Sequence, residues 1–467
     1  MSEPNFKPTL RLLDATMIVA GSMIGSGIFI VSADITRNIG SSGWLIAVWL
    51  ITGFMTITAA LSYGELSAMF PKAGGQYVYL KEAYNPLIGF LFGWSFFSVI
   101  QTATIAAVAV AFAKFTAYLF PVFSEDKVAL KFGALAISPA QLLSIVVIVL
   151  LTFINTRGIK SGKLIQTTFT LTKLLSLFGL ILFGLMAFRP GVWDLNWTNA
   201  WHLQSRTPAG ILGDYSLFAA LGAIAASMVG SIFSSDSWNN VTFIAGEIKN
   251  PQRNIGLSLF LGTLIVTIIY VLTNITYTAV LPLDAIAGAE KDRVAVAAAQ
   301  EIFGPAGTMI IAIMIMISTF GCNNGIILAG ARVYYTMAKD GLFFSKAGSL
   351  NKNGVPAYAL WLQCLFACAW SLSGKYGQLL DMISFVVVGF YMLTIAGIFI
   401  LRRKRPDALR PYKAFGYPVL PVIYIMMGLS FCILLIIFKP SFTWPGLIIT
   451  LLGIPIYKII PKKNSPV

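Results

Sequence analysis

Apolar residues run along this chain in blocks of about 20, with polar and charged residues gathered between them, the length a helix needs to cross a bilayer. Twelve such blocks begin near Leu12, Gly43, Pro86, Ser138, Ile165, Gly213, Ile255, Ala306, Pro356, Gln378, Tyr417 and Phe442. They predict an all-α polytopic membrane protein with twelve transmembrane helices. The first block is weakest at its centre, where Gly21 to Phe29 reads GSMIGSGIF. Glycine costs an interior helix roughly 1 kcal/mol relative to alanine, so Gly25, Ser26 and Gly27 mark a place where the helix can open and leave peptide groups unpaired. Irregular backbone at membrane depth is tolerated where protein encloses it, and there its free groups can bind a ligand. A close helix crossing on small residues accounts for this stretch equally well.

Span 6 repeats the oddity. Ser227 to Asn240 reads SMVGSIFSSDSWNN, too polar to face lipid. Breaks in spans 1 and 6 imply units of five, and an odd number of spans inverts each copy relative to the other. The expected division is residues 1–190 and 191–402 as inverted five-helix repeats, with 403–467 holding two accessory helices. Spans 11 and 12 contain no internal charge and read as peripheral, with an oligomer surface as one use for them.

Composition fits this reading: 57% of the 467 residues are hydrophobic and 11% charged, too few polar groups to coat a soluble globule. A net charge of +15 raises the question of nucleic acid. The positions of the cations answer it. With the amino terminus inside, 22 of the 33 lysines and arginines fall on the cytoplasmic side, which predicts two cytoplasmic termini in a cell (inner) membrane and no nucleic-acid partner. The head Met1–Lys7 leads straight into span 1 without a cleavage site, so that span is expected to be kept. Cys322, Cys364, Cys368 and Cys432 all lie in apolar spans, and the only histidine, His202, lies in an outer loop. Neither a disulfide nor a metal centre is expected, and no cofactor.

Few charges enter the apolar blocks. Glu65, before the break at Pro71, reads as an interfacial carboxylate paired with an inner-loop cation. Lys114 sits near an outer span end, where it can snorkel. Asn323 and Asn324 in span 8 read as a helix–helix hydrogen bond. Lys173 in span 5 lies roughly 12 Å deep and must either snorkel or find acceptors. With Lys173 and Asp236 as the only deep charges there is no acid–base or metal constellation for an enzyme. A transporter is expected, and a membrane sensor is the weaker reading.

GSMIGSGIF, YGELSAMFPKAGGQYVYLKEAYNP, SWNNVTFIAGEIKNPQRNIG and ARVYYTMAKDGLFF resemble the amino acid–polyamine–organocation superfamily, most of all its L-amino acid transporters. The resemblance, from span 1 through span 10, implies a LeuT-type fold with discontinuous helices 1 and 6, and sodium-independent exchange of neutral L-amino acids. It implies that Ser26 and Gly27 amides hold the substrate carboxylate and that the carbonyls of Met23, Phe233 and Asp236 receive the ammonium. Phe233 matches the aromatic that closes over the substrate, and Trp238 and Asn239 match a Trp-Asn pair beyond it. Lys173 matches a lysine whose ammonium replaces a sodium ion between spans 1 and 8, with Ser318 and Thr319 as partners. Asp236 stands where relatives commonly have glycine; it either caps the second half of span 6 or faces the cavity and titrates. The loop after span 3 lacks the cysteine that bonds a glycoprotein partner in animal members, so the protein is expected to work in the bilayer without one. Proton-coupled symport of an amino acid or amine stays open beside exchange.

Overall fold

The computed structural model describes residues 8–132, 135–373 and 376–459. The polar head Met1–Lys7, the tail beyond residue 459 and the side chains of Lys160 and Lys163 lie outside the described residues.

Helix α1 (Leu12–Met23) ends where Ile24 leaves helical geometry, and α2 (Gly27–Ile39) restarts at 43° to it. Gly40 closes α2 in the left-handed conformation (φ 64°), which glycine adopts without cost. Helix α3 (Ser42–Met69) is followed by the short α4 (Gln76–Ala83) and by α5 (Pro86–Ser95), where Asn85 caps the Ile88 amide and Pro86 occupies the first turn. A π turn over Phe96–Ile100 joins α5 to α6 (Gln101–Leu119) in one long span. A hairpin of β1 (Leu130–Phe132) and β2 (Leu135–Ile137) leads to α7 (Pro139–Thr156), which Ser138 and Gln141 open as a capping box.

Helix α8 (Ile159–Met186) is followed by α9 (Pro190–Trp197), a hairpin of β3 (Gln204–Arg206) and β4 (Leu212–Asp214), and α10 (Leu217–Ser234). Backbone without helical order, with Ser237 at φ 63°, separates α10 from the single turn α11 (Asn240–Phe243). Then come α12 (Pro251–Val280), the short α13 (Leu283–Ala287) and α14 (Val294–Lys339), which bends at Gly304 (φ 69°) before Pro305. The chain closes with α15 (Ala357–Ser373), α16 (Tyr376–Lys404), α17 (Val419–Phe438) and α18 (Pro440–Ile459).

Among the described residues nine helices are long and apolar enough to cross a membrane, and α1 with α2 makes a tenth, bent span. The apolar parts of α15 and α18, Ala357–Leu372 and Thr443–Ile459, are shorter. Ten of the twelve predicted span starts fall within four residues of an observed helix start; Ile165 lies six residues inside α8, and Ala306 lies twelve residues inside α14, just past its bend at Gly304.

The helices that carry the breaks pack on each other and on α12. Gly262 of α12 lies against Val19 of α1, and Gly230 of α10 against Val31 of α2. On the face that holds Leu10, called here the N-terminal face, backbone bonds tie the chain start to the turn after α11. Thr9 and Leu10 donate to the Glu247 carbonyl (2.9 and 3.0 Å), and Lys249 donates back to Leu10 (2.8 Å). Glu247 also meets the buried Arg332 of α14 at 3.2 Å.

Glu65 does pair with a cation, yet it is only 1% exposed. Arg402 holds both carboxylate oxygens (3.0 and 2.7 Å), the Ala414 amide adds a third bond (2.7 Å), and the loop after α16 folds over it. The expected helix–helix bond in span 8 is present: Asn155 donates to Asn324 at 2.8 Å.

Candidate functional site

The two breaks face one another in the middle of the bundle. Ser26 and Gly27 open α2, so the first amides of that helix have no intrahelical acceptor and its positive dipole end points into the gap. Gly27 is there for closeness: a Cβ on it would stand 1.9 Å from Ser234 Oγ. The small-residue crossing and the helix break, competing explanations in the sequence, are both present in one place. Across the gap, α10 ends at Ser234 and the chain turns through Asp236.

Lys173 sits at the middle of α8 and is fully buried. Its ammonium donates to the carbonyls of Gly21 (2.5 Å) and Ile24 (2.7 Å), the groups freed where α1 ends. The ammonium is turned into the bundle, onto these carbonyls, rather than outward. Ser318 donates to the same Ile24 carbonyl at 3.5 Å, so α14 reaches this junction. Thr319 differs from expectation: its hydroxyl bonds the Ile315 and Met316 carbonyls of its own helix (2.9 and 3.0 Å), the usual resort of a threonine one turn on.

Asp236 is buried, and its carboxylate takes the hydroxyl of Tyr391 (2.5 Å). That bond ties the break to α16. Asn239 donates to Gln76 (3.0 Å), which donates to Thr394 (3.0 Å). The Met23 carbonyl accepts the Tyr270 hydroxyl (3.0 Å), which also lies 2.9 Å from the Ser234 carbonyl. Each carbonyl keeps a second lone pair for another donor. Two cavities border Asp236, of about 10 and 20 Å³, room for a water molecule and too small for an amino acid.

On the other side of Phe233 the space opens. A cavity of about 870 Å³ reaches down to Tyr376, Val229 and Gly230. Tyr376 makes its floor: its hydroxyl bonds Ser26 Oγ at 2.9 Å, and its ring meets Phe233 edge-on at 6.0 Å between centroids. Among the described residues this vestibule is lined by five carboxylates and five cations. Asp292 stands between Arg37 (2.8 Å) and Lys114 (3.7 Å), so Lys114 turns to the vestibule wall. Lys291 meets Asp126 at 2.6 Å, which raises its pKa above the ordinary lysine value. Lys439 faces Asp381 at 3.6 Å. The last contact brings the turn that connects α17 and α18 to the vestibule wall.

Sequence reasoning missed three tyrosines, Tyr270, Tyr376 and Tyr391. A signal existed for the first: Tyr270, Asn274 and Tyr277 at i, i+4, i+7 form one polar-tipped face on α12. That face serves the first broken helix, with Asn274 accepting from Ser32 (2.7 Å) and Tyr277 donating to Ile28 (3.2 Å). Tyr376 and Tyr391 carry no such pattern.

A mostly helical chain with many apolar spans, two of them broken where they meet beneath a polar vestibule, is a polytopic membrane transporter. The model of the amino acid permease family matches residues 10–457. This chain belongs to that family, within the amino acid–polyamine–organocation superfamily and on its L-amino acid transporter-like branch. It is 29% identical to the human large neutral amino acids transporter small subunit 2, over 97% of this chain and 80% of that protein. It is 28% identical to the mouse Asc-type amino acid transporter 1, over 97% of this chain and 81% of that protein. With the mouse b(0,+)-type amino acid transporter 1 it shares 27% identity, over 93% of this chain and 83% of that protein. It is an amino acid transporter rather than an enzyme.

Proposed function

We propose that the protein exchanges neutral L-amino acids across the cell (inner) membrane by alternating access, without sodium. The observation that carries this is Lys173. A tethered ammonium already occupies carbonyls freed by the break in span 1, so a free cation has no vacancy to fill there. The frame we assign is a LeuT-type 5+5 inverted repeat with twelve spans, residues 1–190 and 191–402 forming the repeats and 403–467 the accessory helices. Both termini are then cytoplasmic, and the vestibule faces outward.

In this reading the Ser26 and Gly27 amides take the substrate carboxylate, with Gly25 leaving room for the turn. The carbonyls of Met23, Phe233 and Asp236 take the ammonium, Asn239 braces the far side, and Phe233 with Tyr376 closes the vestibular side. The vestibule's balance of charge supports a substrate without net charge, since it offers no long-range pull of either sign. No disulfide-linked glycoprotein is needed, and the lipid-facing accessory helices leave room for self-association.

The test is uptake of labelled neutral amino acids into liposomes with and without internal amino acid, in sodium and in choline. Uptake that needs internal amino acid and is equal in both salts is the expected result. Sodium-dependent uptake overturns it. Proton-coupled symport is the second reading, favoured by a buried carboxylate, Asp236, whose side-chain partner is a tyrosine hydroxyl rather than a cation. Uptake that needs no internal amino acid but follows a proton gradient would select it.

A further inference from the structure

We propose that the turn between α17 and α18 couples the two helices that close the vestibule, with Lys439 as a positioning residue for the Tyr376 gate. Two adjacent residues reach two different helices. Phe438 lies flat on Gly222 of α10, where a Cβ would come within 2.6 Å of its ring, and packs against Phe218 at 5.0 Å between centroids. The next residue, Lys439, places its ammonium 3.6 Å from Asp381 of α16. Helix α10 carries Phe233, and α16 carries Tyr376 five residues before Asp381. Those two rings meet at the floor of the vestibule. The turn therefore holds the same two helices together near the vestibule wall that the gate joins at its floor.

The contacts divide the work. An aromatic ring seated on a glycine has no room to slide toward the helix, so the turn must follow α10. The ion pair is longer than a strong charge-assisted bond, yet its carboxylate side chain is only 12% exposed, so it is attractive and adjustable. Helix α18 extends the contact along α16, with Gly446 against Met382 and Val386. When the outer half of α10 moves, the Phe438–Lys439 turn draws the start of α16 with it, and Tyr376 arrives over Ser26 together with Phe233.

This rests on the exchange reading only for its transport readout. Cys322 supplies one that needs no transport: it is buried behind the gate, with its thiol donating to the Ser22 carbonyl at 3.1 Å. Alkylation of Cys322 by a membrane-impermeant thiol reagent applied to the vestibular face, located by peptide mass spectrometry, reports gate opening. In Lys439→Met and in Asp381→Asn the rate should rise about fivefold, the size expected of a partly exposed ion pair. The half-saturating amino acid concentration should rise by a similar factor at the vestibular face alone. The exchange of charges, Lys439→Asp with Asp381→Lys, should restore both. An unchanged Cys322 rate in folded Lys439→Met overturns the coupling, as does an equal rise in half-saturation at both faces. Failure of the unmodified protein to exchange amino acids would sink the exchange reading instead, while the alkylation rates still decide this one.

Discussion

Lys173 has traded hydration for two carbonyl oxygens, one in the last turn of α1 and one in the break that follows it. A charge in that position costs roughly 2.5–3.5 kcal/mol to insert, offset by charge-assisted bonds of about 1.5–3 kcal/mol each. Its removal leaves two bare carbonyls and a gap. Lys173→Ala should lower exchange more than about tenfold while the protein still elutes as a folded species, as purified protein in the liposome assay can establish. Undiminished exchange in that variant would remove the lysine from the mechanism. Asp236 asks for a different substitution. Asparagine keeps an oxygen for the Tyr391 hydroxyl, so Asp236→Asn should fold normally. Under exchange its pH profile should match that of the unmodified protein. A profile that flattens in the variant would instead make the carboxyl a proton carrier.

At the scale of elements, two half-helices are held to each other by contacts with little slack. Gly27 has no space for a methyl group beside Ser234, so Gly27→Ala should lower thermal stability even without substrate. Ser234→Gly should recover most of the loss in the double variant, because it removes both the Oγ and the Cβ that a new methyl would strike. Tyr270→Phe takes away the hydroxyl shared by Met23 and Ser234 and should cost about 1 kcal/mol, readable as a lowered melting temperature.

The breaks themselves were legible because glycine and serine at the centre of an apolar run contradict what a lipid-facing helix requires. Lys173 was legible for a similar reason, a charge at a depth where it must be explained. What the letters left out lies in contacts distant along the chain. Nothing near Glu65 announces that a loop some 350 residues later will bury it, and nothing near Lys439 announces Asp381. Tyr376 looks like any aromatic at a span end until Phe233 and Ser26 stand beside it. Thr319, expected beside Lys173, spends its hydroxyl hydrogen on its own helix, a local bond that spacing alone does not announce.

For the whole molecule, the vestibule and the N-terminal face differ in how they are closed. One side rests on two rings and a hydroxyl pair, the other on backbone bonds and a buried ion pair. Charge balance in the vestibule predicts that the half-saturating concentration of a neutral substrate changes little between low and high salt, whereas a cationic or anionic competitor should gain no advantage at low salt. The strap at Leu10 has a consequence of its own. Three amides, those of Thr9, Leu10 and Lys249, are held by these bonds and should exchange faster with heavy water when the N-terminal face opens. Under the alternating access proposed above, their deuterium uptake becomes an internal counter of the transport cycle, slow while the vestibular side is open and faster in each interval when the protein turns the other way.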